Sequence, residues 1–273
     1  MSPVRELCEV LERRRVGEYQ ALTLASPQIA ETARPGQFVH LLATEDHSFP
    51  LRRPFSLWRV DCPSGTFEIV FDVVGAGTRA LAGLGPRDVV DALGPLGRVF
   101  DPPEAPAGCV LVGGGYGTAP LFFLATELRA RGCRVDVVIG AATAGRLLDA
   151  TAAERLGHSL TVTTDDGSAG RRGLVTDPLP ELLAGNGAER VYACGPMPML
   201  AAVSRVAAAA GVACQVAVEE QMACGTGICF SCVLPVGPGT PTRMARSCLE
   251  GPVFDGTAIA WVELGYPELE PTA

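Results

Sequence analysis

The chain contains no lysine: every one of its 22 Lys+Arg positions is an arginine. Schiff-base catalysis and the P-loop grip on a triphosphate both need a lysine amine, so both are excluded. Histidine is scarce as well, and His40, His47 and His158 show no ligand spacing; they read as ordinary residues. Long apolar runs are missing. Stretches such as 118–125, "TAPLFFLA", fall far short of the roughly 20 residues that cross a bilayer, so no membrane insertion is expected. The first fifteen residues carry no apolar segment behind a basic start, so no secretory leader is expected and a cytoplasmic location follows. A basic stripe is absent too: the arginines are scattered apart from Arg13–Arg15 and the net charge is −8, which leaves nothing for nucleic acid to bind.

What is present is apolar material in quantity. At 273 residues and 48% hydrophobic, the chain is long enough for two or three domains with sizeable cores. Residues 1–102 read as short strands broken by Gly and Pro, among them 37–43, 55–60 and 67–74. Strands at that spacing predict a small antiparallel β-barrel. After the Pro-rich linker "DPPEAPAG" the period changes. Apolar strands at 109–112, 135–140, 160–164 and 190–193 alternate with helical stretches at 118–131, 145–156, 178–184 and 197–210. That alternation over 103–213 predicts a parallel sheet covered on both faces. Residues 214–273 form a third region, with strand-like pieces at 232–236 and 258–263.

The third region holds the strongest chemical signal. In "MACGTGICFSC" the cysteines Cys224, Cys229 and Cys232 are spaced C-x4-C-x2-C, and Cys248 follows. Zinc sites usually present two close pairs, and here only Cys229 and Cys232 make one. The spacing is that of a plant-type [2Fe–2S] cluster. Gly225 and Gly227 suit it, since bare backbone can curl around a cluster and offer N–H groups to its sulfurs. A zinc-stabilised interaction module is the alternative from a different class. The remaining cysteines, Cys8, Cys62, Cys109, Cys133, Cys194 and Cys214, read mostly as small buried hydrophobes.

Five further stretches suggest ligands. In "LRRPFS", 51–56, an arginine can fork onto a phosphate while an aromatic and a hydroxyl meet a ring system. "VVGAGTRAL", 73–81, superficially fits the dinucleotide fingerprint but lacks the βαβ unit behind it; Gly77 and Thr78 can still offer N–H and hydroxyl donors at a short helix start. "LVGGGYGTAPL" runs from a buried strand through Gly113, Gly114, Gly115 and Gly117 into a helix, an arrangement that suits a pyrophosphate. "VYACGPMPML" places Cys194 at the carboxyl end of a strand, and "TDDGSAGRRG" places Asp165 and Asp166 at the end of another. Acidic groups there would bond ribose hydroxyls and repel a 2′-phosphate, which favours NAD over NADP.

In this order, "LRRPFS", "VVGAGT", "GPLG", "GGGYGTAPL", "DGSAGRRGLVTD", "YACGPMPML", "EEQMACGTGICFSC" and "SCLEGPVF" resemble the ferredoxin–NADP reductase superfamily. More closely, they resemble the electron-transfer subunits of class B dihydroorotate dehydrogenases. The resemblance implies a multidomain chain: an FAD-binding β-barrel domain at 1–102, an NAD-binding α/β domain at 103–213 and a [2Fe–2S] domain at 214–273. It implies that Arg53, Pro54, Phe55, Ser56, Val70, Phe71, Asp72, Gly77 and Thr78 contact FAD, and that Cys224, Cys229, Cys232 and Cys248 ligate the cluster. The glycine turn, Asp165 and Cys194, the catalytic candidate, would line the NAD(H) site. The implied partner is an FMN-containing catalytic subunit of pyrimidine biosynthesis, in a heterotetramer of two of each. Small subunits of NADH-dependent ferredoxin oxidoreductases and sulfide dehydrogenases share much of the pattern. Tyr116 departs from it, standing where the family usually has a small aliphatic residue.

Overall fold

A computed structural model describes residues 3–42, 51–185, 187–237 and 242–266. Its first sheet contains β1 (Val4–Val16), β2 (Tyr19–Ala25), β3 (Phe38–Leu42), β4 (Arg53–Ser56), β5 (Arg59–Asp61), β6 (Thr66–Phe71) and β7 (Val89–Leu96). All pairings are antiparallel, in the order β4-β3-β7-β1-β2-β6-β5. The two outer strands are joined by only Leu57 and Trp58. Leu57 donates its N–H to Gln37 beside β3, and Trp58 donates to Glu68 in β6, so the sheet curls shut into a barrel. Leu22, Leu24, Val39, Leu41, Phe55, Phe67 and Ile69 fill its interior. Helix α1 (Pro27–Thr32) plugs the barrel beneath a Ser26 cap, and α2 (Ala76–Gly83) follows β6.

Strand β3 is buried on both faces. Val39 and Leu41 point into the barrel, whereas Phe38 packs outward against Leu96, Cys232 and Cys248. The barrel wall is therefore shared with the cysteine region.

The second sheet follows from β8 (Gly108–Gly114), α3 (Ala119–Ala130), β9 (Arg134–Ala141), α4 (Ala150–Leu156), β10 (Ser159–Thr164), β11 (Arg171–Arg172), α5 (Leu179–Gly185), β12 (Ala188–Cys194), α6 (Met197–Ala209) and β13 (Ala213–Ala217). Two short strands, β14 (Val233–Val236) and β15 (Arg243–Arg246), pair with each other, and α7 (Ser247–Glu250) leads to β16 (Val253–Asp255). The large sheet runs β11-β10-β9-β8-β12-β13-β16, parallel except for β16. β8 explains its own apolar run: Cys109 and Leu111 face α3, while Val110 and Val112 face α5 and α6.

The expected limit at 213/214 falls inside β13, and β16 of the third region forms the sheet's edge. The expected helix at 145–156 is shorter, beginning at Ala150 behind a short turn. The strand-like 258–263 contributes only the Val236–Ile259 bridge. Among the described residues, no helix is long and apolar enough to cross a membrane.

Candidate functional site

Three neighbouring structures meet along the barrel. The largest is a cavity of about 690 Å³ at the carboxyl ends of β8, β9, β10 and β12, the place where an open parallel sheet binds ligands. Its floor is the glycine turn. Gly117 lies so close to the turn after β12 that a Cβ would stand 2.6 Å from Gly195 Cα and 2.9 Å from its nitrogen. Gly114 is hemmed in by Met199 and Pro196 in the same way. Only bare backbone lets the two turns touch, and their contact opens the space above. Gly114, Gly115, Gly117 and Asp165 line the cavity, whereas Gly113 is paired inside the sheet opposite Cys194.

Cys194 is buried, and burial, with Glu219 nearby, pushes its thiol far above the ordinary range. It stays protonated, so it is neither a nucleophile nor a proton carrier near neutral pH. Cys194 is not among the residues that line the cavity; it sits in the strand beside Gly113.

The cavity's opposite wall joins Tyr19 and Arg146, which no motif marks, to Tyr116 and Glu219. Tyr19, at the start of β2, donates to the Arg146 carbonyl at 2.8 Å and meets the Tyr116 ring edge-on at 5.7 Å. Tyr116 in turn donates to Glu219 at 2.8 Å; burial and that carboxylate both push the phenol up. Arg146 pairs with Asp72 and, at 3.4 Å, with Glu18. Arg59–Asp149 at 2.8 Å and the Trp58–Phe122 contact at 6.0 Å add to the same seam. Barrel and parallel sheet are thus joined beside the cavity by polar and aromatic contacts. Tyr116, Glu219 and Asp72 lie within stretches the sequence singles out, whereas Tyr19, Arg146, Arg59 and Asp149 lie in none of them.

The second structure is a shallow cradle at the end of β6 and the start of α2. The Arg53 guanidinium lies over Gly77, where a Cβ would stand 3.1 Å from its Nε. A cation above a helix start that lacks a side chain fits a phosphate. Phe55 is buried with its ring 5.4 Å from Phe71, so it is a floor and not a projecting wall. Pro54 and Ser56 sit at partly exposed positions of β4. Val70 and Phe71 are core residues, which leaves backbone as what they can offer a ligand. Thr78 differs from expectation. Its hydroxyl donates to the Gly75 carbonyl and accepts from Val74 and Gly75, so its single proton is spent on capping α2. The carboxylate of Asp72 is likewise engaged, by Arg146 and the Val73 N–H.

The third structure is the cysteine loop, turned by Gly225 and Gly227 with φ of 69° and 79°. Cys224 Sγ accepts from the N–H groups of Thr226 at 3.4 Å and Cys229 at 3.5 Å. Burial pushes this thiol up, but the N–H donors of Cys229 and Thr226, with the Cys229 side chain, outweigh it and bring it down to about 6. Cys232 and Cys248 are fully enclosed and adjacent; burial, and then Cys232, push Cys248 up to about 12. The thiols therefore lie as two pairs, Cys224 with Cys229 and Cys232 with Cys248. Among the described residues, no three His, Cys, Asp or Glu side chains converge on one point as a single ion would require. Two pairs, with amides aimed at sulfur, suit a two-iron cluster, in which each iron takes two thiolates. Ser231 ties the loop, accepting from Ala223 N at 3.1 Å.

His158 accepts from the Val135 N–H through Nδ1 at 2.9 Å, as an ordinary residue would. His47 lies outside the described residues. His40 is not ordinary: it is fully buried and, among the described residues, neither ring nitrogen has a partner.

Comparison with known proteins agrees with this geometry. Residues 219–260 match the family described as the iron–sulfur cluster binding domain of dihydroorotate dehydrogenase B, and 111–205 match the oxidoreductase NAD-binding domain. The chain is 41% identical over 254 residues to the dihydroorotate dehydrogenase B (NAD(+)) electron transfer subunit of Geobacillus thermodenitrificans, covering 92% of this chain and 96% of the relative. It is 37% identical to that of Desulforamulus reducens, covering 86% and 90%. Among solved structures, an NADH-dependent reduced ferredoxin–NADP oxidoreductase studied for flavin-based electron bifurcation superimposes with a TM-score of 0.84. That match is 31% identical and covers 95% of this chain and 91% of the other. The chain is an oxidoreductase subunit with NAD-binding and iron–sulfur domains, and it belongs to the family of dihydroorotate dehydrogenase B (NAD(+)) electron transfer subunits.

Proposed function

We propose that this chain exchanges electrons between NAD(H) and an FMN-containing catalytic subunit that oxidises dihydroorotate in the cytoplasm, as two copies of each in pyrimidine biosynthesis. Its cofactors are FAD, a [2Fe–2S] cluster and NAD(H). The observation that carries the reading is the juxtaposition within one chain of a nucleotide cavity, a phosphate cradle and two cysteine pairs on a shared barrel wall. FAD supplies the adapter chemistry, taking a hydride and releasing electrons singly.

Each residue set has a task. Arg53 and the first N–H groups of α2, including Gly77 and Thr78, hold the FAD phosphates. Pro54 and Ser56 border the ring system, above a floor made by Phe55, Val70 and Phe71, and Asp72 contributes backbone while its carboxylate fixes Arg146. The turn of Gly114, Gly115 and Gly117, anchored to the sheet through Gly113, carries the NAD pyrophosphate, and Asp165 takes the ribose hydroxyls. Cys194, held neutral, packs under the nicotinamide end. Cys224, Cys229, Cys232 and Cys248 ligate the irons.

Around the cysteine loop Ile228 is 80% and Phe230 59% exposed, and Met244 and Leu249 are exposed beside them. Such an apolar rim is what a partner subunit would cover, and it surrounds the point where electrons must leave. The test is reconstitution of the FAD- and cluster-loaded chain with the FMN subunit. NAD⁺ reduction that depends on dihydroorotate and on both chains is expected. A second reading, the small subunit of an NADH-dependent ferredoxin oxidoreductase, draws on the bifurcating relative's 31% identity. Electron exchange with ferredoxin and none with dihydroorotate would select it.

A further inference from the structure

His40 stands in β3, on the outward face that also carries Phe38; the inner face belongs to Val39 and Leu41. Phe38 packs against Cys232 and Cys248, and its ring meets that of His40 edge-on at 5.7 Å. From the other side comes Gly225, the residue after Cys224. A Cβ there would stand 2.7 Å from His40 Cε1 and Nδ1 and 3.0 Å from Nε2. The cysteine loop is thus seated directly on the imidazole, which is fully buried and, among the described residues, has no hydrogen-bond partner at either nitrogen.

An imidazole always carries at least one N–H, and an unpaired buried donor is destabilising. A leucine would fill the same space without that penalty, so the ring implies an acceptor that the described residues do not supply. Burial, with Arg52 and then Arg53 nearby, pushes the ring down to about 4, so it is neutral and offers one N–H. Two cofactors could provide an acceptor. Pro54, at the flavin cradle, pairs with His40 across the sheet, but the backbone seated on the imidazole itself is Gly225 of the cysteine loop. Cys232 and Cys248 pack against Phe38 on the face it shares with His40, and a cluster held there would offer sulfurs that accept but cannot donate.

We propose that His40 donates its ring N–H to a sulfur of the [2Fe–2S] cluster, making it a positioning and potential-setting residue that joins the barrel wall to the electron outlet. The inference rests on the iron–sulfur reading of the cysteine loop. A donor aimed at sulfur favours the reduced, more negative cluster and raises its potential.

The test uses the full-length holoprotein in an EPR-monitored anaerobic redox titration. His40→Leu is expected to make cluster reduction about tenfold less favourable, a downward shift of about 59 mV for one electron, with iron content and flavin potential unchanged. His40→Gln keeps an N–H and is expected to recover most of that shift. Independently of any variant, pulsed EPR of protein labelled with nitrogen-15 histidine is expected to show a histidine nitrogen coupled to the reduced cluster. An unchanged cluster potential in His40→Leu, or a shift confined to the flavin, would overturn the proposal. If His40→Leu loses its cluster, the labelled wild-type protein decides, and absence of the coupling refutes. A wild-type protein with no iron–sulfur signal would sink the underlying reading, a different failure from a cluster indifferent to His40.

Discussion

Adding one methyl group to Gly117 should damage the nucleotide site, and the structure says by how much. The new Cβ of Gly117→Ala would lie 2.6 Å from Gly195 Cα and 2.9 Å from Gly195 N. Carbon atoms pack at about 3.5–4.0 Å, so the two turns must separate by about 1 Å. Neither is free to do so: the strand before one, β8, is paired at Gly113 with the strand before the other at Cys194. Overpacking of this kind costs about 1–3 kcal/mol, and rigid backbone on both sides puts this site at the upper end. At roughly 2–4 °C per kcal/mol for a chain of this size, the melting temperature should fall by about 4–12 °C. NADH affinity should fall at least tenfold, since the displaced backbone is the cavity floor. Gly83→Ala is the control. It closes α2 with no atom within 4 Å of the new methyl and no positive φ, and should stabilise by about 0.4–1 kcal/mol. Calorimetry and NADH titration of the two variants read both quantities. A Gly117→Ala protein with native melting temperature and native NADH affinity would refute the reasoning.

Asp165→Ser removes the exposed acid at the end of β10 and should move the NADPH-to-NADH preference at least tenfold toward NADPH, measured as a ratio of kcat/KM values. Cys248→Ser removes one ligand from a fully buried pair and should abolish the cluster, read as loss of iron and sulfide, while FAD stays bound. Asp91 sets an acid limit on the barrel. Burial pushes its carboxyl up, but hydrogen bonds from Arg5 and Arg52 outweigh this and hold it below the usual range. A depressed carboxyl stabilises the fold above its unfolded value near pH 4, and that contribution is lost as pH falls through the folded value. The melting temperature should therefore drop more steeply from pH 5 to pH 3 in the native protein than in Asp91→Asn, in which position 91 does not titrate.

The parallel sheet was readable because its strands are apolar without interruption, a consequence of helices on both faces, and its glycine turns are local. The cysteine loop was readable for the same reason: ligand spacing lies within one stretch. Strand β1, by contrast, buries only Cys8 and Val10 of its 13 residues, so "VRELCEVLERRRV" carries little apolar signal for its length. The limit expected at 213/214 missed β13 and β16, because an edge strand returning after thirty-five residues leaves no periodic trace. The seam of Tyr19, Tyr116, Arg146 and Glu219 joins positions up to 127 residues apart along single bonds. His40 read as ordinary because burial without a partner is a property of the fold and not of the residue.

The central claim is that one chain carries electrons between NAD(H), FAD and an iron–sulfur cluster. Anaerobic addition of NADH to the purified, cofactor-loaded protein tests it most directly. Bleaching of the flavin absorbance is expected together with the EPR signal of a reduced [2Fe–2S] cluster, the latter lost in Cys248→Ser. A colourless protein holding zinc and no iron, or a cluster that NADH leaves oxidised while the flavin is fully reduced, would contradict it.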